Sequence, residues 1–155
     1  MPQGLIQPAN AILYAGQPVI QEMEVETVSE FCPGKLVIVD TEDYQCQVAT
    51  VGAATVLGVA DVPSDKKLTD YITESAAGTV TTTFTVKDQI RVLRGDIVVK
   101  LMALSGETIA VGTKLVAAAN GLVKAGATAG QCIGYSLESP TLTTSCKWVL
   151  VKLTI

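Results

Sequence analysis

Residues 90–104 read I-R-V-L-R-G-D-I-V-V-K-L-M-A-L, and this stretch decides the fold. Residues 90–93 and 97–104 are short aliphatic runs rich in β-branched side chains, separated by Arg94-Gly95-Asp96. A β-branched side chain is stiff about its first torsion and packs well on a pleated surface, so such runs favour strand over helix. Gly and Asp supply the backbone freedom and local hydrogen bonding that a turn needs. The pattern predicts strand, turn, strand. It places the R-G-D tripeptide in a hairpin turn rather than in an adhesion motif.

The same signal recurs on either side. In residues 79–86, threonines 79, 81, 83 and 85 alternate with Val80, Thr82, Phe84 and Val86, a period of two. Further upstream, Gln45, Gln47 and Ala49 alternate with Cys46 and Val48, and residues 36–39 form a short β-branched run. Glu22, Glu24 and Glu26 alternate with Met23, Val25 and Thr27. At the other end, Val149, Val151, Leu153 and Ile155 share a face opposite Leu150, Lys152 and Thr154. Many short strands divided by Gly, Asn and Asp turns predict an all-β chain, a barrel or a sandwich. One stretch departs from the period. In residues 64–78, Leu68, Tyr71 and Ile72 stand at helical spacing, with Ser64 placed to cap and Gly78 to stop a turn. An inserted loop with room for one short helical turn is expected there.

Two parts of the chain echo each other. P-G-K-L-V-I-V from Pro33 is followed by A-A-T-V-L-G-V-A-D-V-P from Ala53. G-T-K-L-V-A-A from Gly112 is followed by A-G-Q-C-I-G-Y-S-L-E-S-P from Ala129. Lys35-Leu36-Val37 lines up with Lys114-Leu115-Val116, and Leu57-Gly58-Val59 with Ile133-Gly134-Tyr135. A glycine ahead of K-L-V allows a tight turn into a strand, and one inside L-G-V or I-G-Y marks a bulge or a close backbone approach. Two copies are too few for a solenoid. The expectation is two similar hairpin units closing a single barrel over residues 23–155.

Composition narrows the function. The 155 residues are 48% hydrophobic and only 17% charged. A chain of this size buries about 68–70% of its unfolded surface and needs no disulfide or metal to fold. So little charge leaves apolar surface that expects a partner. Fifteen acidic against eleven basic residues give a net charge of −4, which speaks against nucleic-acid binding. The chain has no histidine, which excludes Ser-His-Asp and Cys-His catalysis. No catalytic residue, metal site or cofactor is expected. Cys32, Cys46, Cys132 and Cys146 form no C-x-x-C pair. Both pairs are spaced by fourteen residues, which hints at equivalent places in two halves. Buried thiols are the simplest reading; disulfides, and more remotely a metal site built from all four thiolates, are the alternatives.

Residues 1–22 read as an extended N-terminal arm. No positive side chain precedes Lys35, so a secretory signal is not expected. Pro2, Pro8 and Pro18 break any spanning helix, and the chain is expected to be made in the cytoplasm and to avoid membranes. Leu5, Ile6, Ile12, Leu13 and Tyr14 are apolar enough to want burial. An extended segment with such anchors can reach over a neighbour; a disordered tail is the alternative. Lys100 has apolar neighbours on both sides, which places it mid-strand rather than at the exposed tip a carrier lysine needs. Asp40, Glu42 and Asp43 offer oxygen ligands for a cation but read more simply as a polar turn.

Several pieces along the chain carry a resemblance. They are G-K-L-V at 34–37, L-G-V-A-D at 57–61, R-V-L-R-G-D-I-V-V-K at 91–100, A-V-G-T-K-L-V-A-A-A-N-G-L-V at 110–123, I-G-Y-S-L-E-S-P at 133–140 and W-V-L-V-K-L at 148–153. In this order they resemble the capsid decoration (cement) proteins of tailed bacteriophages and related viruses, over residues 25–155. The loop at 64–78 is longer than that pattern. The resemblance implies a small β-barrel or β-tulip that forms homotrimers on the outer surface of the expanded capsid, resisting internal DNA pressure. Its partners would be the major capsid protein and neighbouring trimers, the latter through the arm, with no nucleic acid and no membrane. The reading from another class is a carbohydrate- or receptor-binding β module exposed on a virion. Aromatic residues at only 5% leave few rings to stack on a sugar.

Overall fold

The computed structural model describes residues 11–42, 44–126 and 131–155. Among the described residues the chain is all-β apart from two 3-10 turns, and no helix is long and apolar enough to cross a membrane. Its strands are β1 (Leu13–Ala15), β2 (Val19–Val25), β3 (Leu36–Val39), β4 (Gln45–Val48), β5 (Gly58–Ala60), β6 (Gln89–Arg94), β7 (Val98–Ala103), β8 (Lys114–Ala117), β9 (Val123–Ala125), β10 (Gly134–Ser136) and β11 (Lys147–Leu153).

These strands make two closed rings, not one. The first is β2-β4-β3-β5-β6. The second is β7-β11-β10-β8-β9, closed by a parallel contact of Ala103 with Val123, and β1 is added to it along β7. The expected single barrel over 23–155 is therefore two small barrels, and the second begins within the stretch that looked like a hairpin. β6 pairs with β2 and β5, β7 pairs with β11, and the two do not pair with each other. Arg94-Gly95-Asp96 is the passage from one barrel to the other. A turn between two strands has the same composition whether the strands fold back together or diverge.

The barrels repeat each other strand for strand, with β2 to β6 matching β7 to β11 in order and direction. Gly34 and Gly112 both have positive φ, 83° and 85°. Their N–H groups donate to the carbonyls of Ala60 (2.9 Å) and Ser136 (2.7 Å). Ala49 N–H donates to Leu36 O and Gly126 N–H to Lys114 O. Leu36 thus corresponds to Lys114, and the K-L-V match read from sequence is one residue out of register. Thr113 stands between the turn glycine and the lysine in the second copy. A slip of one residue exchanges the faces of a strand, and Lys35 is buried while Lys114 is half-buried. The other match holds. A Cβ at Gly58 or Gly134 would collide with the carbonyl oxygen of Leu93 or Lys152 on the paired strand, the close backbone approach the motif predicts.

The cysteines are not equivalent. Cys32 precedes β3, Cys46 lies in β4, Cys132 precedes β10 and Cys146 precedes β11. All four are free thiols; three are buried and Cys132 is half-buried.

The insertion lies between β5 and β6, where residues 61–88 stand in place of the shorter 137–146 of the second barrel. It holds one 3-10 turn, Leu68–Asp70, entered at Lys67, whose N–H donates to the Asp70 carboxylate; Ser64 is not the cap. Leu68, Tyr71 and Ile72 are buried, as their spacing predicts. Residues 79–86, expected to be a strand, make only an isolated bridge from Val80 to Ile72. Of the predicted apolar face only Phe84 is buried, edge-on to Phe31 at 5.2 Å and tilted against Tyr71 at 5.7 Å. The alternation is present, but among the described residues no neighbouring strand offers these residues a ladder.

The insertion then reaches the second barrel. Glu74 Oε1 accepts from Trp148 N–H (3.0 Å), Ser75 O from Cys146 N–H (2.7 Å) and Ala76 O from Ser105 Oγ (3.0 Å). It is a strap across the two rings. Beneath it the rings share a seam. Lys35 Nζ donates to Asn120 O (2.8 Å), Gly121 N–H to Ala49 O (2.9 Å), Gly52 N–H to Ala117 O (3.1 Å) and Val56 N–H to Gln131 Oε1 (2.6 Å).

Candidate binding surfaces

The apolar residues of the N-terminal stretch part ways in the structure. Leu5 and Ile6 lie outside the described residues. Ile12 is wholly buried, in the core of its own chain, while Leu13 and Tyr14 are half-buried in β1, the strand added along β7. Gly34 comes so close to Ile12 and Trp148 that a Cβ there would stand 3.2 Å and 2.7 Å from them. From Leu13 onward the stretch 1–22 is built into the sheets, as β1 and the start of β2.

The titratable groups buried in the first barrel are held in their neutral directions. Burial pushes the Cys32 thiol up to about 12, with Lys35 pulling it down and Glu30 adding to the rise. Burial likewise raises Cys46 to about 12, helped by Asp40. Lys35 is lowered by burial, against the opposing charges of Cys32, Glu30 and Cys146. A thiol raised this far is a poor nucleophile. Lys100 lies in β7, 5% exposed, with Nζ 5.6 Å from the Trp148 ring centroid, away from any turn tip. Asp40 accepts from Thr27 Oγ1 (2.9 Å) and Thr41 N–H (2.7 Å), the bonding of a polar turn; Asp43 lies outside the described residues. Among the described residues no three His, Cys, Asp or Glu side chains gather to hold a metal.

A shallow cleft of about 240 Å³, not foreseen from sequence, opens on the wall of the first barrel between Glu22, Asp61, Asp65 and Arg91. Asp61 faces Arg91 at 3.6 Å. Burial raises its pKa, and the Val62 N–H and Arg91 hold it down. An ion pair beside two further carboxylates orients a polar contact.

The exposed apolar residues are more telling. Val39, Tyr44 and Val86 stand at the end of the first barrel where β2 and β3 finish and β4 and β6 begin. Val19 and Ile20, 52% and 46% exposed, open β2. Val51, Val111 and Tyr135 are also exposed. Single exposed aliphatics are ordinary; here two neighbours begin one strand and three share one end of a barrel.

A scan against protein-family models finds no match, and a search of curated proteins finds none either. Among solved structures the chain is similar to the N base of the head fiber protein gp8.5 of bacteriophage phi29. The TM-score is 0.51 at 13% sequence identity, over 90% of this chain and 98% of that one. At this identity the likeness speaks for architecture alone: the chain shares its fold, almost from end to end, with the base of a phage head fiber.

Proposed function

We propose that this protein is a structural component of a bacteriophage virion that binds the outside of the expanded capsid as trimers and cements it. The observation that supports this most is the fold held in common with a phage head fiber base over nearly the whole of both chains. The surface agrees with it. Apolar side chains stand exposed at one barrel end and one strand start, and a lattice of many copies turns such weak contacts into firm attachment by avidity. Closed threefold symmetry would cover part of that surface. No catalysis is proposed.

The test is to mix the purified protein with expanded, undecorated capsids of the virus that encodes it. Co-sedimentation at a fixed number of copies per particle, with raised heat resistance of the shell, is the expected result. No shell association, together with specific binding on a glycan array, would overturn it in favour of a carbohydrate-binding module.

A further inference from the structure

The two barrels match strand for strand, yet an edge that is filled in the second has no described residue along it in the first. In the second barrel β1 lies along β7, with Leu13 opposite Val99 and the Lys100 N–H donating to Ile12 O (2.8 Å). The register carries this position across. Glu26 N–H donates to Cys46 O as Leu104 N–H does to Val123 O, so the two strands are offset by 78 residues. Glu22 is then the counterpart of Lys100, Gln21 of Val99 and Ile20 of Val98.

No described residue takes the place of β1 beside Glu22, Gln21 and Ile20. β4 reaches only Glu24 and Val25. The Glu24 N–H donates to Tyr44 O on that side (2.8 Å). Amides alternate along a strand, so those of Glu22 and Ile20 point the same way, away from β6. An open edge with exposed aliphatics is a template for another strand. Val19 and Ile20 supply both, whereas β7 is buried from Val99 to Ala103.

We propose that this edge of β2 accepts a strand from a second copy of the chain, residues 4–7. Gly4-Leu5-Ile6-Gln7 repeats the order small, aliphatic, aliphatic of Ala11-Ile12-Leu13, the segment that fills the matching edge. The path of the chain favours a second copy over its own. β1 runs past Lys100 and then Val98, Gly16 lies against Ile97, and Val19 lies by Gly95. The chain therefore enters β1 from the end of β7 remote from Val19. Passing the segment to the next molecule is a head-to-tail contact, which closes into a ring when the rotation allows. The proposal deepens the self-association in the proposed function and does not depend on the shell.

By the pairing of Leu13 with Val99, position 6 falls opposite position 21. An Ile6→Cys chain mixed with a Gln21→Cys chain of different mass should yield, on oxidation, a disulfide-linked pair with one copy of each. Mass spectrometry should map the bond to positions 6 and 21. Ile20→Pro, introduced into the Gln21→Cys chain, removes an outward amide without touching the ladder to β6, and should cut the linked yield at least several-fold while circular dichroism stays unchanged. In a chain carrying both Ile6→Cys and Gln21→Cys, a bond formed only within single molecules would place the segment on its own barrel and overturn the proposal. So would the absence of any such bond. Failure to bind shells with the linked pair still forming would sink the virion reading and leave this one standing.

Discussion

The first barrel and the second share a strand order, a pair of turn glycines and a pair of strand glycines, but they differ in what has been laid on them. β7 is covered by β1, with Ile12 buried and Lys100 over Trp148; its counterpart β2 begins with two exposed aliphatics. The first barrel carries the strap, with its Phe31–Phe84–Tyr71 cluster; the second has only residues 137–146 at that place. The frame is set where backbones touch, at Gly58 and Gly134, and it tolerates great difference elsewhere. What distinguishes the halves is added at edges and between strands, where a β ring can take an addition without changing its register.

The hardest blow to this equivalence is a methyl group at the shared approach. Gly58→Ala and Gly134→Ala should each cost about 3 kcal/mol or more, because the Cβ meets a rigid backbone carbonyl. Urea unfolding of both variants checks it; a mild loss at one and a severe loss at the other would break the match. A second effect is confined to the first barrel. The unfolded thiols of Cys32 and Cys46 ionise near 9.0 and the folded ones near 12. Between these values the unfolded state has lost protons that the folded state keeps, so stability falls as pH rises, by up to about 1.4 kcal/mol per thiol per pH unit. Lys35, lowered in the fold, works the other way up to its ordinary 10.5. The decline should therefore steepen above that pH, and Cys32→Ala with Cys46→Ala should flatten it in urea midpoints measured from pH 9 to 12.

The turn glycines sharpen the comparison further. Gly34→Ala and Gly112→Ala bear the same backbone strain, about 1 kcal/mol. Only Gly34 would also drive a Cβ into Trp148, while Gly112 faces open space. A further cost of about 2 kcal/mol at Gly34 would measure the seam alone; equal losses would show that Trp148 yields freely. The smallest effect belongs to the ion pair of Lys152 with Asp96, whose carboxylate side chain is 88% exposed. Asp96→Ala should change thermal stability by no more than about 0.5 kcal/mol, leaving the passage between barrels to the backbone.

The strands were legible because period-two alternation and β-branching are local properties. β3, β4, β6, β7 and β11 fall where residues 36–39, 45–49, 90–93, 97–104 and 149–155 predict. The loop at 64–78 and its buried Leu68, Tyr71 and Ile72 were legible for the same reason. Which strands pair was not, since the passage at Gly95 looks like a hairpin from within the sequence. The alternation of residues 79–86 misled because a pattern states which faces differ, not whether a neighbour exists. Of the binding surface, sequence picked out Ile12, Leu13 and Tyr14 as segments wanting burial, and the structure buries Ile12 in its own chain. The edge at Val19 and Ile20 emerged only by laying one barrel over the other, since no residue type in β2 announces which strand lies beside it.

The strap has a consequence for how the molecule comes apart. A ring of this size is near the lower limit at which a core sustains itself. Residues 74–76 belong to one ring and hold the start of β11 in the other, so melting of either removes support from its companion. Heating should then show one sharp heat-absorption peak rather than two, and a polypeptide cut into its two halves would have to recombine before either could persist.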